Sequence, residues 1–204
     1  RFEPMKKESL RRLTMAALCG AVAFVLMFFS FSVPVLSPFA EFDFSALPEL
    51  IGGFILGPVG AIEIIVVKIG LKLLFKGSSS LLTGELMNLI LSLAYVLPTL
   101  WYYRSHRTRR GAVIGLAIGT ALSVIISIFT NVYVIFPLYI KLYGMNWDGI
   151  IEICAAVNPW IKNIPTMVAF SVVPFNLISR VVTSLITLLV YKKLSAPMKR
   201  FALA

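Results

Sequence analysis

The feature that most limits what this chain can become is a succession of long apolar stretches, at residues 13–33, 47–75, 82–103, 111–136 and 166–191, with few charges inside any of them. In lipid such a stretch must satisfy every backbone N–H and C=O internally, which a helix does and an open strand does not. A hydrocarbon layer about 30 Å thick takes roughly 20 apolar residues per helical crossing. The 204 residues therefore hold about six crossings with short connections, and leave no length for a soluble catalytic domain. The expected fold is an all-α integral membrane protein of six transmembrane helices, a single domain over residues 1–204. Composition agrees, because 59% of the residues are hydrophobic, against about 45–50% where a core must be covered by polar surface.

A net charge of +10 would suit nucleic acid in a soluble protein, but here the basic residues stand at the ends of apolar runs. Lys6, Lys7, Arg11 and Arg12 precede the first run, and Arg104, Arg107, Arg109 and Arg110 follow the fourth helix. Lys192, Lys193, Lys199 and Arg200 follow the last. Positive charge collects on the cytoplasmic side, and these three groups share one side only if the chain crosses six times. The expectation is a multi-pass cell-membrane protein with both termini cytoplasmic and no nucleic-acid partner. No convincing small-residue cleavage pattern precedes Pro34, so the first run reads as a retained helix.

Helix one, 13–33, ends at Pro34, and the segment to Pro48 reads as a loop with apolar content. The 47–75 stretch divides at Gly57-Pro58 into helices two and three, since glycine permits the turn and proline opens the next helix. A Gly77-Ser78-Ser79-Ser80 turn leads to helix four, 82–103, and a basic loop containing His106 leads to helix five, 111–136. Residues 137–165 are mixed in character and predict a lid-like loop with a helical piece before helix six, 166–191. Two cysteines, Cys19 and Cys154, are too few for a disulfide framework and read as unpaired packing residues.

Ionisable groups within spans are costly, so each is a candidate site residue unless it reaches an interface. Lys68, Lys72 and Lys76 follow one another at helical spacing along helix three. The latter two are placed to snorkel, and Lys68, one turn deeper, is a candidate for binding. Glu85 and Asn88 share a face at the outer start of helix four, where they either meet a solute or serve the helix N-terminus. Asn131 offers a donor and an acceptor to a heterocycle edge. Asn176, Ser179 and Arg180 share a face of helix six, and Arg180 has no acid nearby in sequence, so it must find a carboxylate, a ligand or the interface. Phe42 and Phe44, with Phe39, flank Asp43 and offer either stacking faces or interfacial anchors. On helix one, Ala17 and Ala21, like Ala16 and Gly20, are four apart and let another helix approach closely, within this chain or in a partner. Together these residues point to capture of a solute from outside. A self-sufficient carrier or channel stays open, whereas an intramembrane enzyme lacks a nucleophile–base pair.

The run Glu41-Phe42-Asp43-Phe44-Ser45-Ala46-Leu47-Pro48 and the run Ile51-Gly52-Gly53-Phe54-Ile55-Leu56-Gly57-Pro58 carry a resemblance. Gly84-Glu85-Leu86-Met87-Asn88, then Asn131 with Pro137 and Tyr139, then Pro174-Phe175-Asn176-Leu177-Ile178 continue it in the same order. Over nearly its whole length the chain resembles the riboflavin-binding S component of energy-coupling factor transporters. The resemblance implies a six-helix protein of a prokaryotic plasma membrane that takes riboflavin, or a related flavin such as flavin mononucleotide, from outside. It implies a membrane T component and two cytoplasmic ATPases as partners, with the flavin as transported ligand and no cofactor. The chain has no GxxxxGK[ST] phosphate cradle of its own. The resemblance further implies flavin contacts from Asn131 and Asn176, and a T-component contact at Ala17 and Ala21. Its pattern carries a lysine three residues after the second asparagine, where this chain has Ser179 followed by Arg180.

Overall fold

The structure, a computed structural model, describes residues 7–78 and 82–203. Arg1, Lys6, Ser79 and Ser80 lie outside them, and with them part of the basic N-terminal group and of the serine turn. Helix α1 runs Lys7–Phe28 and stops earlier than the apolar pattern predicts, because the next residues form a hairpin instead of a further turn. Strand β1, Phe31–Val33, pairs antiparallel with β2, Ser37–Phe42, placing Phe31 opposite Phe42 and Ser32 opposite Glu41. Ser30 ties the hairpin base by donating to Glu41 Oε2 at 2.7 Å. The expected loop between helices one and two is thus an ordered ribbon.

The next helix, α2, spans Ala46–Phe75 but is broken at Gly57, whose φ of 83° and ψ of −176° lie outside helical space. A side chain there would meet no atoms within 4 Å, so the backbone conformation and not crowding requires glycine. The break is a reversal: Glu49 on the arm 46–56 pairs with Lys68 on the arm 58–75, and a Cβ on Gly53 would stand 3.1 Å from Ala61. The Gly57-Pro58 division predicted from sequence is present, as two antiparallel arms. Gly20 of α1 packs on the second arm so closely that a Cβ there would come within 2.6 Å of Val67. The Ala16 and Gly20 stripe is therefore used for packing inside the chain, while Ala17 faces outward and Ala21 is half-buried.

Helix α3, Thr83–Ser105, is followed by α4, Arg109–Thr130, whose N-terminus is capped by Thr108 accepting from the Gly111 N–H at 3.0 Å. Fifth-helix structure does not end at Phe136. It passes through a π-helical turn, Asn131–Ile135, into α5, Phe136–Tyr143, and stops at left-handed Gly144. The stretch predicted as a lid-like loop with a helical piece holds the rest of α5 and a second helix, α6 at Trp147–Val157, which carries the buried Cys154. Asn163 and Thr166 form a capping box that starts α7, Ile164–Met167. A second π-helical turn, Val168–Val172, then leads into α8, Val173–Leu203.

Two apolar clusters position the site. Phe54, Tyr95, Leu100 and Leu116 form a core between α2, α3 and α4. Phe136, Ile150, Cys154, Met167 and Val172 bind α5, α6 and the start of the last helix into a cap at the opposite end. Leu18, Val25, Val66, Leu74, Ile125 and Leu189 are exposed on the outside of the bundle, an apolar surface suited to lipid and not to water. Among the described residues five helical stretches are long and apolar enough to cross a membrane, with α2 taken whole as one of them.

Candidate functional site

A cavity of about 250 Å³ opens at the end of the bundle away from Gly57. The hairpin supplies Phe39 and Asp43, α3 supplies Asn88 and Ser92, the first π-helical turn supplies Asn131, and α8 supplies Asn176, Ser179 and Arg180. The elements converge for local reasons. Asp43 Oδ1 accepts the Ser45 N–H at 2.7 Å and so fixes the entry into α2 beside the opening. Each π-helical turn inserts an extra residue into its helix and re-aims the side chains beyond it. Asn131 begins the first of these turns, and Asn176 stands one helical turn beyond the second.

The two asparagines are held alike. Asn131 Nδ2 donates to the Ser127 carbonyl at 2.8 Å, and Asn176 Nδ2 donates to the Val172 carbonyl at 2.9 Å. Each amide is thereby fixed on its own helix, with its oxygen still an acceptor for a partner in the cavity. Flat apolar faces lie alongside: Phe39 packs on Phe136 and Tyr139, with ring centres 6.3 and 5.7 Å apart, and all three rings line the cavity.

Two cations differ in how they are held. Lys68 is fully buried and does not line the cavity. It pairs with the equally buried Glu49 and donates to Asn88 Oδ1 at 2.6 Å, Ser45 Oγ at 3.2 Å and Ser92 Oγ at 3.3 Å. The lysine predicted as a ligand contact instead stands behind the wall and orients three residues that do face the opening. Arg180 lines the cavity with its guanidinium 4.9 Å from the centre of the Tyr95 ring. Its Nε is buried without a hydrogen-bond partner, and no carboxylate among the described residues forms an ion pair with it.

Phe42 and Phe44 do not reach the cavity, because they stack on Phe31 and on each other at 5.0 to 6.5 Å on the far side of the hairpin. Glu85 lies one layer back, bonded to Lys72 at 2.8 Å and to Ser78 at 2.7 Å, so that it holds Lys72, itself a lining residue. Lys72 and Lys76, predicted to snorkel, face the opening. Tyr139, Ser171 and Phe175 also line it, although the sequence pattern does not mark them as site residues. For Phe39 a partial signal is present: Phe39 and Glu41 are two apart on β2 and both line the cavity, while Phe42 does not, although Ala40 lines it as well.

The family model described as "ECF transporter, substrate-specific component" matches residues 11–191. The chain belongs to this family. Its relatives include a riboflavin transporter RibU of Staphylococcus aureus, 30% identical over 190 residues that make up 93% of each chain. A riboflavin transporter FmnP of Bacillus subtilis is 28% identical over 185 residues, covering 90% of this chain and 92% of the relative. The solved S component of a bacterial ECF transporter superposes with a TM-score of 0.72 at 27% identity, covering 94% of this chain and 99% of that one. This ECF substrate-specific component is a transport protein and not an enzyme.

Proposed function

We propose that this ECF substrate-specific component captures riboflavin from outside the cell and delivers it through a membrane T component driven by two cytoplasmic ATPases. The cavity carries the reading. Aromatic faces from Phe39, Phe136 and Tyr139 suit a flat isoalloxazine ring, whose imide N–H needs an acceptor such as the amide oxygen of Asn131 or Asn176. The ribityl hydroxyls both donate and accept, which suits Asp43, Ser179 and the unpaired Nε of Arg180. Two relatives of near-full coverage are named riboflavin transporters, and this supports the same ligand here.

With α2 counted as two antiparallel arms, the chain makes six passes. The basic groups at Arg11 and Arg12, at Arg104 to Arg110 and at Lys193 then fall at one end, which the positive-inside rule makes cytoplasmic. The cavity opens at the other end. Ala17 and Ala21 flank the middle of α1, below the cavity-lining Met27, where a T-component helix can approach closely. Purified protein titrated with riboflavin tests the ligand: saturable quenching of flavin fluorescence is expected. Binding of thiamine or folate without any flavin binding overturns it.

A further inference from the structure

At the Gly57 end a second cavity, about 540 Å³, opens between α1, the reversal of α2 and the end of α3. Its inner walls are apolar, from Phe54, Leu56 and Leu100. Tyr103 closes the back, its hydroxyl 3.0 Å from that of Tyr191. Three arginines from two elements and a loop, Arg12, Arg104 and Arg107, converge on the cavity, and no carboxylate lines it. None of the three forms an ion pair among the described residues. Arg12 is fixed rather than free to drift, since its Nη2 donates to the Leu56 carbonyl at 3.1 Å at the end of the first arm.

We propose that this cavity binds the phosphate of an anionic membrane phospholipid, with the glycerol end of the acyl chains against Phe54, Leu56 and Leu100. Orientation alone asks only for positive charge near the cytoplasmic surface. It does not ask that three guanidiniums surround one cleft while Arg109 and Arg110, a few residues on at the start of α4, stay off it. A guanidinium offers paired donors to phosphate oxygens, and a basic pocket between helices on the cytoplasmic side has the chemistry of an anionic headgroup site. A cleft that is cationic at the rim and apolar inside matches a lipid, which carries both characters, better than a free phosphate, which carries one. The proposal rests on the membrane orientation, with the Gly57 end cytoplasmic.

The test uses the full chain in detergent, with lipid binding followed by native mass spectrometry and by the unfolding temperature. Phosphatidylglycerol should bind and raise the unfolding temperature, whereas phosphatidylcholine should not. Arg12→Gln, Arg104→Gln and Arg107→Gln should each weaken phosphatidylglycerol by about fivefold, the worth of one arginine near an anionic surface. Riboflavin titration on the same samples shows that each variant is folded, and keeps failure of the lipid site separate from failure of the riboflavin reading. Arg109→Gln/Arg110→Gln serves as the control for diffuse charge. Equal loss in that control overturns the site. Equal stabilisation by inorganic phosphate or by glycerophosphoglycerol overturns the lipid assignment in favour of a soluble phosphate. Unchanged lipid binding in all three single variants overturns both.

Discussion

Lys68 and Arg180 are both cations carried into an apolar bundle, and their surroundings differ. Lys68 has a buried carboxylate and three further oxygen acceptors around it, so its charge is answered inside the chain. Arg180 has the face of Tyr95 and an Nε with nothing bonded to it, beside an open cavity. Burying a charge is costly unless it is paired and hydrogen-bonded. The first arrangement therefore builds the wall, and the second leaves a donor that a bound solute can satisfy. Depth in the sequence pattern does not distinguish them; the partners do.

The sharpest way to break this contrast is Lys68→Met. It leaves Glu49 buried without a counter-charge, and should cost about 3–5 kcal/mol of stability, read as a large drop in unfolding temperature. Glu49→Gln/Lys68→Met removes both charges and should restore most of that loss; a double variant as unstable as the single one would make packing, not pairing, the role of Lys68. Arg180→Met should do the reverse, leaving unfolding near wild type. It should weaken riboflavin by about 1.5–3 kcal/mol, roughly ten- to a hundredfold in Kd. Full affinity in that variant would detach Arg180 from the site.

Asn131→Ala and Asn176→Ala should be milder, about 1–2 kcal/mol each in binding, because one amide donor in each is already used within its own helix. Isothermal titration of the folded variants checks this, and wild-type Kd in both would remove the pair from the ligand contacts. The smallest effect on binding is expected from Ala17→Trp and Ala21→Trp near the middle of α1, neither of which lines the cavity. Riboflavin affinity should stay unchanged while uptake falls in cells that supply the T component and ATPases. Normal uptake at normal expression would exclude α1 as the interface.

Much of the molecule is legible in its sequence because lipid allows so few solutions. The apolar runs, the Gly57-Pro58 reversal and the asparagines of the last helices come from chain length, one glycine and the cost of polar groups in hydrocarbon. The differences have physical causes too. A loop from Pro34 to Pro48 gives no basis for assigning faces, whereas the ribbon formed by β1 and β2 turns Phe39 toward the cavity and leaves Phe42 packed against Phe31 and Phe44. The π-helical turns at Asn131–Ile135 and Val168–Val172 carry no sequence signature, since one extra residue per turn does not alter hydropathy. The apolar pattern consequently closes helix five at Phe136, although helical structure runs on to Tyr143. Lys68 reads as a ligand contact from local spacing because its partner Glu49 lies on another helical arm, which spacing cannot reveal.

The reversal at Gly57 has a consequence for distance. At about 1.5 Å per residue the arm 46–56 is roughly 16 Å long, about half of a 30 Å hydrocarbon layer. Above its first turn there is no helix, only the ribbon and the hollow that it overhangs. On the orientation proposed above, a solute held over Ser45 would rest around the mid-depth of the bilayer. A helix that is too short would then supply half of the journey, and the motion that completes uptake would have only the other half to open.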